Sequence, residues 1–223
     1  EEICKKINVK MSAIAPELQD LSVSSVTYST LQLDAPTYVT AGNPAPTVAG
    51  WIGVSGALTV SGSTVSGTTV STSADVSSGW PISGLSPYTE YDIIVKAENA
   101  SGYSIKTLTV RTAARKEILS FGFTSPAAVT YLPDNTAHTI TGNIPFYYDI
   151  DSLAATFTLP ASTTLSVAGT PEVSGSSFND FYNSVTTPVV YTATWADGTT
   201  QDYNVSISNW GTAGTLSLSS GAG

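Results

Sequence analysis

Apolar and polar residues alternate in short runs along this chain, and the alternation predicts strands rather than helices. In the clearest run, 88–98, the residues Tyr91, Ile93, Val95 and Ala97 fall on one face by the period of two that a strand imposes. Turns rich in Gly, Pro and Asn separate such runs at short intervals. The pattern therefore predicts an all-β chain.

The strand pattern falls into two series that meet at 113–116. In the second series, the dipeptide Asp197-Gly198 lies between two apolar runs, which is a strong signal for a β-hairpin. A chain of 223 residues has room for two sandwich domains of about a hundred residues each. We expect a lead-in over 1–12, a sandwich over 13–113, a second over 114–210, and a Gly/Ser-rich tail or linker over 211–223.

A structural motif stands before the clearest predicted strand. Leu85, Pro87 and Tyr91 have the spacing of a tyrosine corner, in which a tyrosine hydroxyl bonds to the backbone a few residues upstream. Such a corner fixes a crossover between the two sheets of a Greek-key sandwich. We therefore expect Tyr91 to point inward and to serve the fold rather than any chemistry.

The residues around this motif resemble the second half of a fibronectin type III domain, and the resemblance extends over about 14–113. The matching runs are Ile-Ser-Gly-Leu-Ser-Pro-Tyr-Thr-Glu-Tyr at 82–91 and Ala-Glu-Asn-Ala-Ser-Gly-Tyr-Ser at 97–104. The first half departs from the family, because Leu33 stands where the family has a core tryptophan. Trp51 and Trp80 are the two candidates to fill that volume.

The second series, about 117–209, is similar to an uncharacterised immunoglobulin-like module of bacterial surface proteins. The similarity rests on four runs: 120–123, 156–159, 179–181 and 196–203. The module supplies no activity that could be transferred. Together the two resemblances imply an all-β fold of two tandem Greek-key β-sandwiches, the first fibronectin type III-like and the second immunoglobulin-like.

Charge excludes several classes of partner. The chain carries 8 Lys and Arg against 17 Asp and Glu, a formal net charge of −9, and no Lys or Arg follows Lys116. Nucleic-acid binding needs clustered cations, so it is not expected, and anionic membrane surfaces are disfavoured for the same reason. Every apolar run is shorter than the roughly 18 residues that span a bilayer, so direct membrane insertion is not expected.

Cysteine usage and composition indicate the compartment. Cys4 is the only cysteine, so the chain can form no internal disulfide. Charged residues make up only 11% of the chain, against about 25% in ordinary globular proteins, and Ser, Thr, Gly and Ala replace them. No apolar signal segment opens the chain. We read it as a mature or trimmed chain and expect an extracellular or cell-surface location.

No catalytic signature accompanies these features, so we expect no enzyme. His138 is the only histidine, and no Gly-x-Ser-x-Gly elbow provides a nucleophile for a catalytic relay. Asp149 and Asp151 share one face of a segment predicted to be extended, beside the aromatics of 146–148. They could form a glycosidase pair, a calcium site or a solvated turn. No cofactor is expected, with calcium the one that the sequence leaves open.

Aromatic residues beside Pro, Gly, Asp or Asn give the best binding hypothesis, since loops carry aromatics in such settings. Flat rings stack on sugar faces, and neighbouring carboxylates bond to sugar hydroxyls. The alternative is that most of these rings fill cores. The possible glycan-binding residues are Trp80, Phe146, Tyr147, Tyr148, Asp149, Asp151, Phe181 and Tyr182, and the sequence around Trp210 has the same character.

The sequence as a whole predicts a non-enzymatic bacterial cell-surface or secreted module with a spacer, adhesion or glycan-binding role. Its expected partners are other surface proteins or a polysaccharide. Two alternatives remain open: accessory domains of a secreted polysaccharide-degrading enzyme, or a structural repeat of a filament, surface layer or virion.

Overall fold

A computed structural model describes residues 12–126 and 130–210 and contains strands but no helix within them. The predicted all-β fold is confirmed. The chain divides between Ala114 and Arg115 into two compact units, called unit 1 and unit 2 below. The predicted lead-in, apart from Ser12, and the predicted tail lie outside the described residues, as does Cys4. Residues 12–126 and 130–210 thus contain no candidate for a helical membrane span.

The described residues of unit 1, 12–114, form eleven strands. They are β1 Glu17–Leu18, β2 Val23–Val26, β3 Thr30–Leu33, β4 Tyr38–Thr40, β5 Thr47–Val54, β6 Leu58–Ser61, β7 Thr64–Gly67, β8 Ser71–Ser73, β9 Trp80–Ser83, β10 Glu90–Asn99 and β11 Gly102–Arg111. A three-stranded sheet has the order β2-β3-β9, and a four-stranded sheet has the order β11-β10-β5-β8. Two further pairs, β1-β4 and β6-β7, lie beside them.

The core of unit 1 lies between these two sheets, because each contributes its alternate, apolar positions. Leu31 and Leu33 of β3 face Ile93 and Val95 of β10 within one buried cluster. Trp80 joins this cluster opposite Leu33 in the β3–β9 register. A side chain at Gly50 would begin 3.0 Å from the Trp80 ring, so the glycine makes room for the indole. Trp80, rather than the half-exposed Trp51, supplies the buried indole.

The residues of the predicted tyrosine corner make the hydrogen bond that defines such a corner. Tyr91 is buried, and its hydroxyl accepts a hydrogen bond from the backbone N–H of Ser86 at 2.8 Å. The buried Thr112 hydroxyl donates to the Ser86 carbonyl at 2.7 Å and accepts from the Thr89 N–H at 2.9 Å. These bonds link the residues before β10 to Tyr91 of β10 and to Thr112 after β11. They therefore stabilise the crossover between the sheets.

In unit 2, the residues that the structure describes (115–126 and 130–210) form nine strands. They are β12 Ser120–Phe123, β13 Thr130–Tyr131, β14 Thr139–Pro145, β15 Leu153–Thr158, β16 Thr164–Val167, β17 Thr170–Pro171, β18 Phe178–Asn179, β19 Val189–Thr194 and β20 Thr200–Trp210. A four-stranded sheet has the order β13-β12-β15-β18, and a five-stranded sheet has the order β14-β20-β19-β16-β17. All pairings are antiparallel except β14–β20, which is parallel.

Aromatic rings fill much of the space between these sheets. Phe121 lies edge-on to Tyr191 with ring centroids 5.3 Å apart, and Phe123 lies edge-on to Phe181 at 5.1 Å. Edge-to-face pairs of this kind add to the free energy gained by burying the rings. Unit 2 is therefore a second sandwich with its own core.

The predicted hairpin at Asp197-Gly198 is confirmed between β19 and β20, with Gly198 at φ +78°. The Asp197 carboxylate accepts hydrogen bonds from the Thr199 hydroxyl at 2.6 Å and N–H at 3.1 Å, and it pairs with Lys116 at 2.9 Å. The pKa of Asp197 is lowered to about 2, mainly by the hydrogen bond from the Thr199 hydroxyl and next by the one from Lys116. The chain thus enters unit 2 beside this hairpin.

The run His-Thr-Ile at 138–140 predicts a strand that includes His138, but in the structure β14 begins one residue later, at Thr139. His138 ends the turn before β14 with φ +55°, and its ring lies edge-on to Tyr203 at 5.3 Å. Its role in the described structure is therefore a packing contact.

Candidate functional site

The aromatic residues predicted to bind glycan separate into buried and exposed groups. Trp80 is 8% exposed and Phe181 is 0% exposed, so both rings belong to cores. Their placement in a glycan site is wrong, because a ring enclosed by protein offers no face to a sugar. Trp210 ends β20, and its side chain lies outside what the structure describes.

The exposed group is centred on the turn that follows β14. Phe146 and Tyr147 are 64% and 70% exposed, whereas Tyr148 is half-buried and packs against the core. The Tyr148 N–H donates to the Pro145 carbonyl at 3.0 Å, which closes the turn. The Tyr148 carbonyl accepts from the Asn209 amide at 3.2 Å, which ties the turn to β20. These bonds fix the backbone of the turn that carries the two exposed rings.

These rings contact one another in sequence. The Phe146 and Tyr147 centroids are 5.8 Å apart with an interplanar angle of 81°, and those of Tyr147 and Tyr148 are 4.8 Å apart at 38°. Tyr148 thereby connects the exposed pair to the core. The contacts favour one arrangement of the rings, so that less side-chain entropy would be lost on binding a partner.

A second loop, after β18, lies beside the same turn. The Phe181 N–H donates to the Ile150 carbonyl at 2.9 Å, so the buried Phe181 anchors this loop next to residues 149–151. Tyr182 is 68% exposed, and its N–H donates to the Asp180 carboxylate at 2.8 Å. Phe146, Tyr147 and Tyr182 thus lie at one end of unit 2. We call these three residues the aromatic end.

Three carboxylates accompany the aromatic end. Asp149 and Asp151 do not lie on an extended segment as predicted, because the Asp151 N–H donates to the Asp149 carboxylate at 2.9 Å and bends the chain. Partial removal from water, and then the charges of Asp149 and Asp180, raise the pKa of Asp151. Within the described residues, no three His, Cys, Asp or Glu side chains are grouped to hold a metal ion.

A groove lies on the outer face of the five-stranded sheet, directly before the aromatic end; we call it the polar groove for its hydroxyl and amide side chains, although apolar atoms form the larger part of its lining. Its volume is about 370 Å³, and its side-chain lining comes from Thr141 and Asn143 on β14, Ser206 and Ser208 on β20, and Val185 of the second loop. In the parallel register, Thr141 lies beside Ser206 and Asn143 beside Ser208. Asn143 precedes the exposed Phe146 by three residues, so the groove leads to the aromatic end.

Sequence reasoning missed this polar groove, although part of its signal is present. Small polar residues alternate with apolar ones at 140–144 and at 205–208, which marks the outer face of each strand. The pairing of the two strands is parallel and joins residues more than 60 positions apart. No local pattern predicts such a register.

Ser184 holds the second loop against β20. It is 1% exposed, and its hydroxyl donates to the Ile207 carbonyl at 3.0 Å and accepts from the Ile207 N–H at 2.9 Å. The pairing of β19 with β20 ends at Val205, so Ser184 takes the place of a neighbouring strand for Ile207. Val185, the next residue, is thereby held where it lines the polar groove.

Comparison with known proteins identifies similar structures and one matching family model. A computer-redesigned β-sandwich protein is 21% identical, over 46% of this chain and 93% of that chain, with a TM-score of 0.33. A two-domain fibronectin type III segment from chicken tenascin is 16% identical, over 86% of this chain and 99% of that chain, with a TM-score of 0.44. No curated protein matches the sequence significantly. Residues 118–207, the greater part of unit 2, match the family model described as SGBP, N-terminal.

Proposed function

We propose that this chain is a non-catalytic module of a bacterial cell surface, and that unit 2 binds glycan through its aromatic end. The observation that carries the proposal is the exposure of Phe146 and Tyr147 on a turn that backbone hydrogen bonds hold in place. The match of residues 118–207 to an SGBP model supports it, because the name denotes surface glycan-binding proteins.

The chemistry of the aromatic end suits a sugar better than an apolar partner. The rings of Phe146 and Tyr147 are large apolar surfaces that can pack on the C–H faces of a pyranose. Asp149 and Asp180, on the adjoining loops, are acceptors for sugar hydroxyls. An interface with another protein would bury far more area than two rings provide. A ring stacked on one or two sugar units needs no larger surface.

Affinity electrophoresis of the full chain through gels containing single polysaccharides tests this proposal. The panel comprises starch, mixed-linkage β-glucan, xyloglucan, galactomannan, arabinoxylan, polygalacturonate and alginate. We expect retardation by at least one of them and loss of most of that retardation in Phe146→Ala/Tyr147→Ala. Tyr103→Ala is the matched control, since Tyr103 is an exposed tyrosine of unit 1. If Phe146→Ala/Tyr147→Ala and Tyr103→Ala were retarded equally, the aromatic end would not be the glycan-binding site.

A spacer role is the second candidate, and unit 1 favours it. The motif residues of unit 1, Leu85 and Tyr91, are buried and stabilise the sandwich, and its Trp80 is a core residue. A chain that is retarded by no polysaccharide in the panel, yet is displayed on intact cells, would fit a spacer. Release of reducing sugar from a bound polysaccharide would instead contradict the non-catalytic proposal.

A further inference from the structure

We infer that the glycan site continues from the aromatic end into the polar groove, and that its ligand class is neutral polysaccharide. The inference rests on the proposed function and adds both a second set of contacts and a selection by charge. It is carried by two independent observations: the unpaired polar groups along the groove, and the absence of cations from this part of the chain.

The groove presents hydrogen-bonding groups that the described protein does not use. The Ser208 hydroxyl donates to the Asn143 side-chain oxygen, which leaves the Asn143 amide N–H groups directed to other acceptors. No described residue accepts from those N–H groups, and none bonds to the Thr141 or Ser206 hydroxyls. Both donors and acceptors are therefore available, and a sugar hydroxyl acts as both.

The spacing of these groups suits an extended, repeating ligand. Thr141 and Ser206 form one rung across the two strands, and Asn143 and Ser208 form the next. Side chains two residues apart on a strand are separated by about 6.6 Å along it. The rungs therefore repeat along the strand direction toward Phe146, so a chain stacked on the rings would continue along the groove.

The groove is also rigid, which favours binding by small polar groups. β20 is hydrogen-bonded to β14 on one side and to β19 on the other, and Ser184 completes its pairing at Ile207. Groups held by a sheet lose little freedom when a ligand binds. Val185 is 62% exposed and forms an apolar wall of the groove.

Charge selects among glycans. From Glu117 onward, the sequence contains no Lys or Arg. The two cations of unit 2 are Arg115 and Lys116; they pair with Glu117 and Asp197 respectively and lie beside the β19–β20 hairpin. The groove and the aromatic end lie at the opposite ends of β14 and β20, where Asp149, Asp151 and Asp180 contribute negative charge. A uronate or sulfate would meet repulsion there, and unit 2 offers it no counter-ion at this end of the sheet.

The experiment measures binding of the full chain to the same polysaccharide panel by isothermal titration calorimetry. Thr141→Val/Ser206→Ala removes two groove hydroxyls without changing side-chain size greatly. Thr164→Val/Ser166→Ala is the matched control, since it changes a Thr and a Ser two positions apart on β16 of the same sheet. We expect the groove variant to bind a neutral glycan about tenfold more weakly, as the loss of two net hydrogen bonds implies, and the control to bind unchanged.

Each outcome separates this inference from the proposed function. Binding to neutral glycans alone, weakened by the groove variant, supports the inference. Binding to polygalacturonate or alginate would overturn the selection by charge but leave glycan binding intact. Equal affinity of the groove and control variants would show that the groove does not contribute to binding, and it would leave the proposed binding by the aromatic end intact. If the chain binds no glycan at all, the proposed function fails and the inference fails with it.

Discussion

Ser184 offers the sharpest test of how the second loop is held, because one hydroxyl satisfies two buried backbone groups. Ser184→Ala removes the acceptor of the Ile207 N–H and the donor to the Ile207 carbonyl. Both residues are buried, and a missing hydroxyl leaves too small a space for a water molecule. An unpaired buried polar group costs roughly 1–3 kcal/mol, so for two such groups we expect unit 2 to lose about 2–6 kcal/mol of unfolding free energy.

Urea unfolding followed by amide resonances of unit 2 measures this loss without interference from unit 1. The midpoint should fall while the slope of free energy against urea stays the same, since the surface exposed on unfolding does not change. Ser166→Ala on β16 is the matched control, because its hydroxyl bonds to no described residue, and we expect a change within 0.5 kcal/mol. A Ser184→Ala variant as stable as this control would refute the reasoning.

Three further results are expected. Tyr91→Phe should destabilise unit 1 by about 0.5–1.5 kcal/mol in urea unfolding, since it removes one hydrogen bond of the tyrosine corner; an unchanged midpoint would contradict this. Phe181→Ala should cost roughly 3–5 kcal/mol, whereas Tyr182→Ala should change stability by less than about 0.5 kcal/mol; similar losses would disprove the assigned burial. Asp197 should titrate near pH 2 by NMR and higher in Lys116→Ala. Because its folded pKa lies below its usual value of 3.8, the stabilisation by Asp197 is present above pH 3.8 and is lost as the pH falls toward 2. If the unfolding free energy changed with pH in Asp197→Asn as it does in the unmodified chain, this assignment would be contradicted.

Local patterns in the sequence were sufficient to predict the longest strands and several turns. The alternation at 88–98 predicts β10, and Asp197-Gly198 predicts the β19–β20 turn, because both depend on residues near in sequence. The short strands β13, β17 and β18 escaped prediction. They have only two residues each, and a segment of two residues is too short to show an alternating pattern.

The candidate site was predicted less well, because burial depends on partners that are distant in sequence. Phe181 and Tyr182 are neighbours in the same polar setting, yet one fills the core and the other is exposed. The Phe181 N–H bonds to the Ile150 carbonyl, about thirty residues away, and its ring packs against Phe123 of a distant strand, whereas Tyr182 has no such packing partner among the described ring pairs of the core. Trp80 is likewise buried because Gly50 on another strand leaves room for it.

The same long-range pairing explains why the groove and the aromatic end form one surface. β14 and β20 run parallel, so the turn after β14 and the last residues of β20 lie at the same end of the sheet. An antiparallel pairing of these strands would instead have placed Ser208 beside the start of β14, far from Phe146. The parallel register, and the Asn209–Tyr148 hydrogen bond that follows from it, therefore bring hydroxyls and rings together in unit 2. The position of the proposed site thus depends on a feature of topology and not on any one motif.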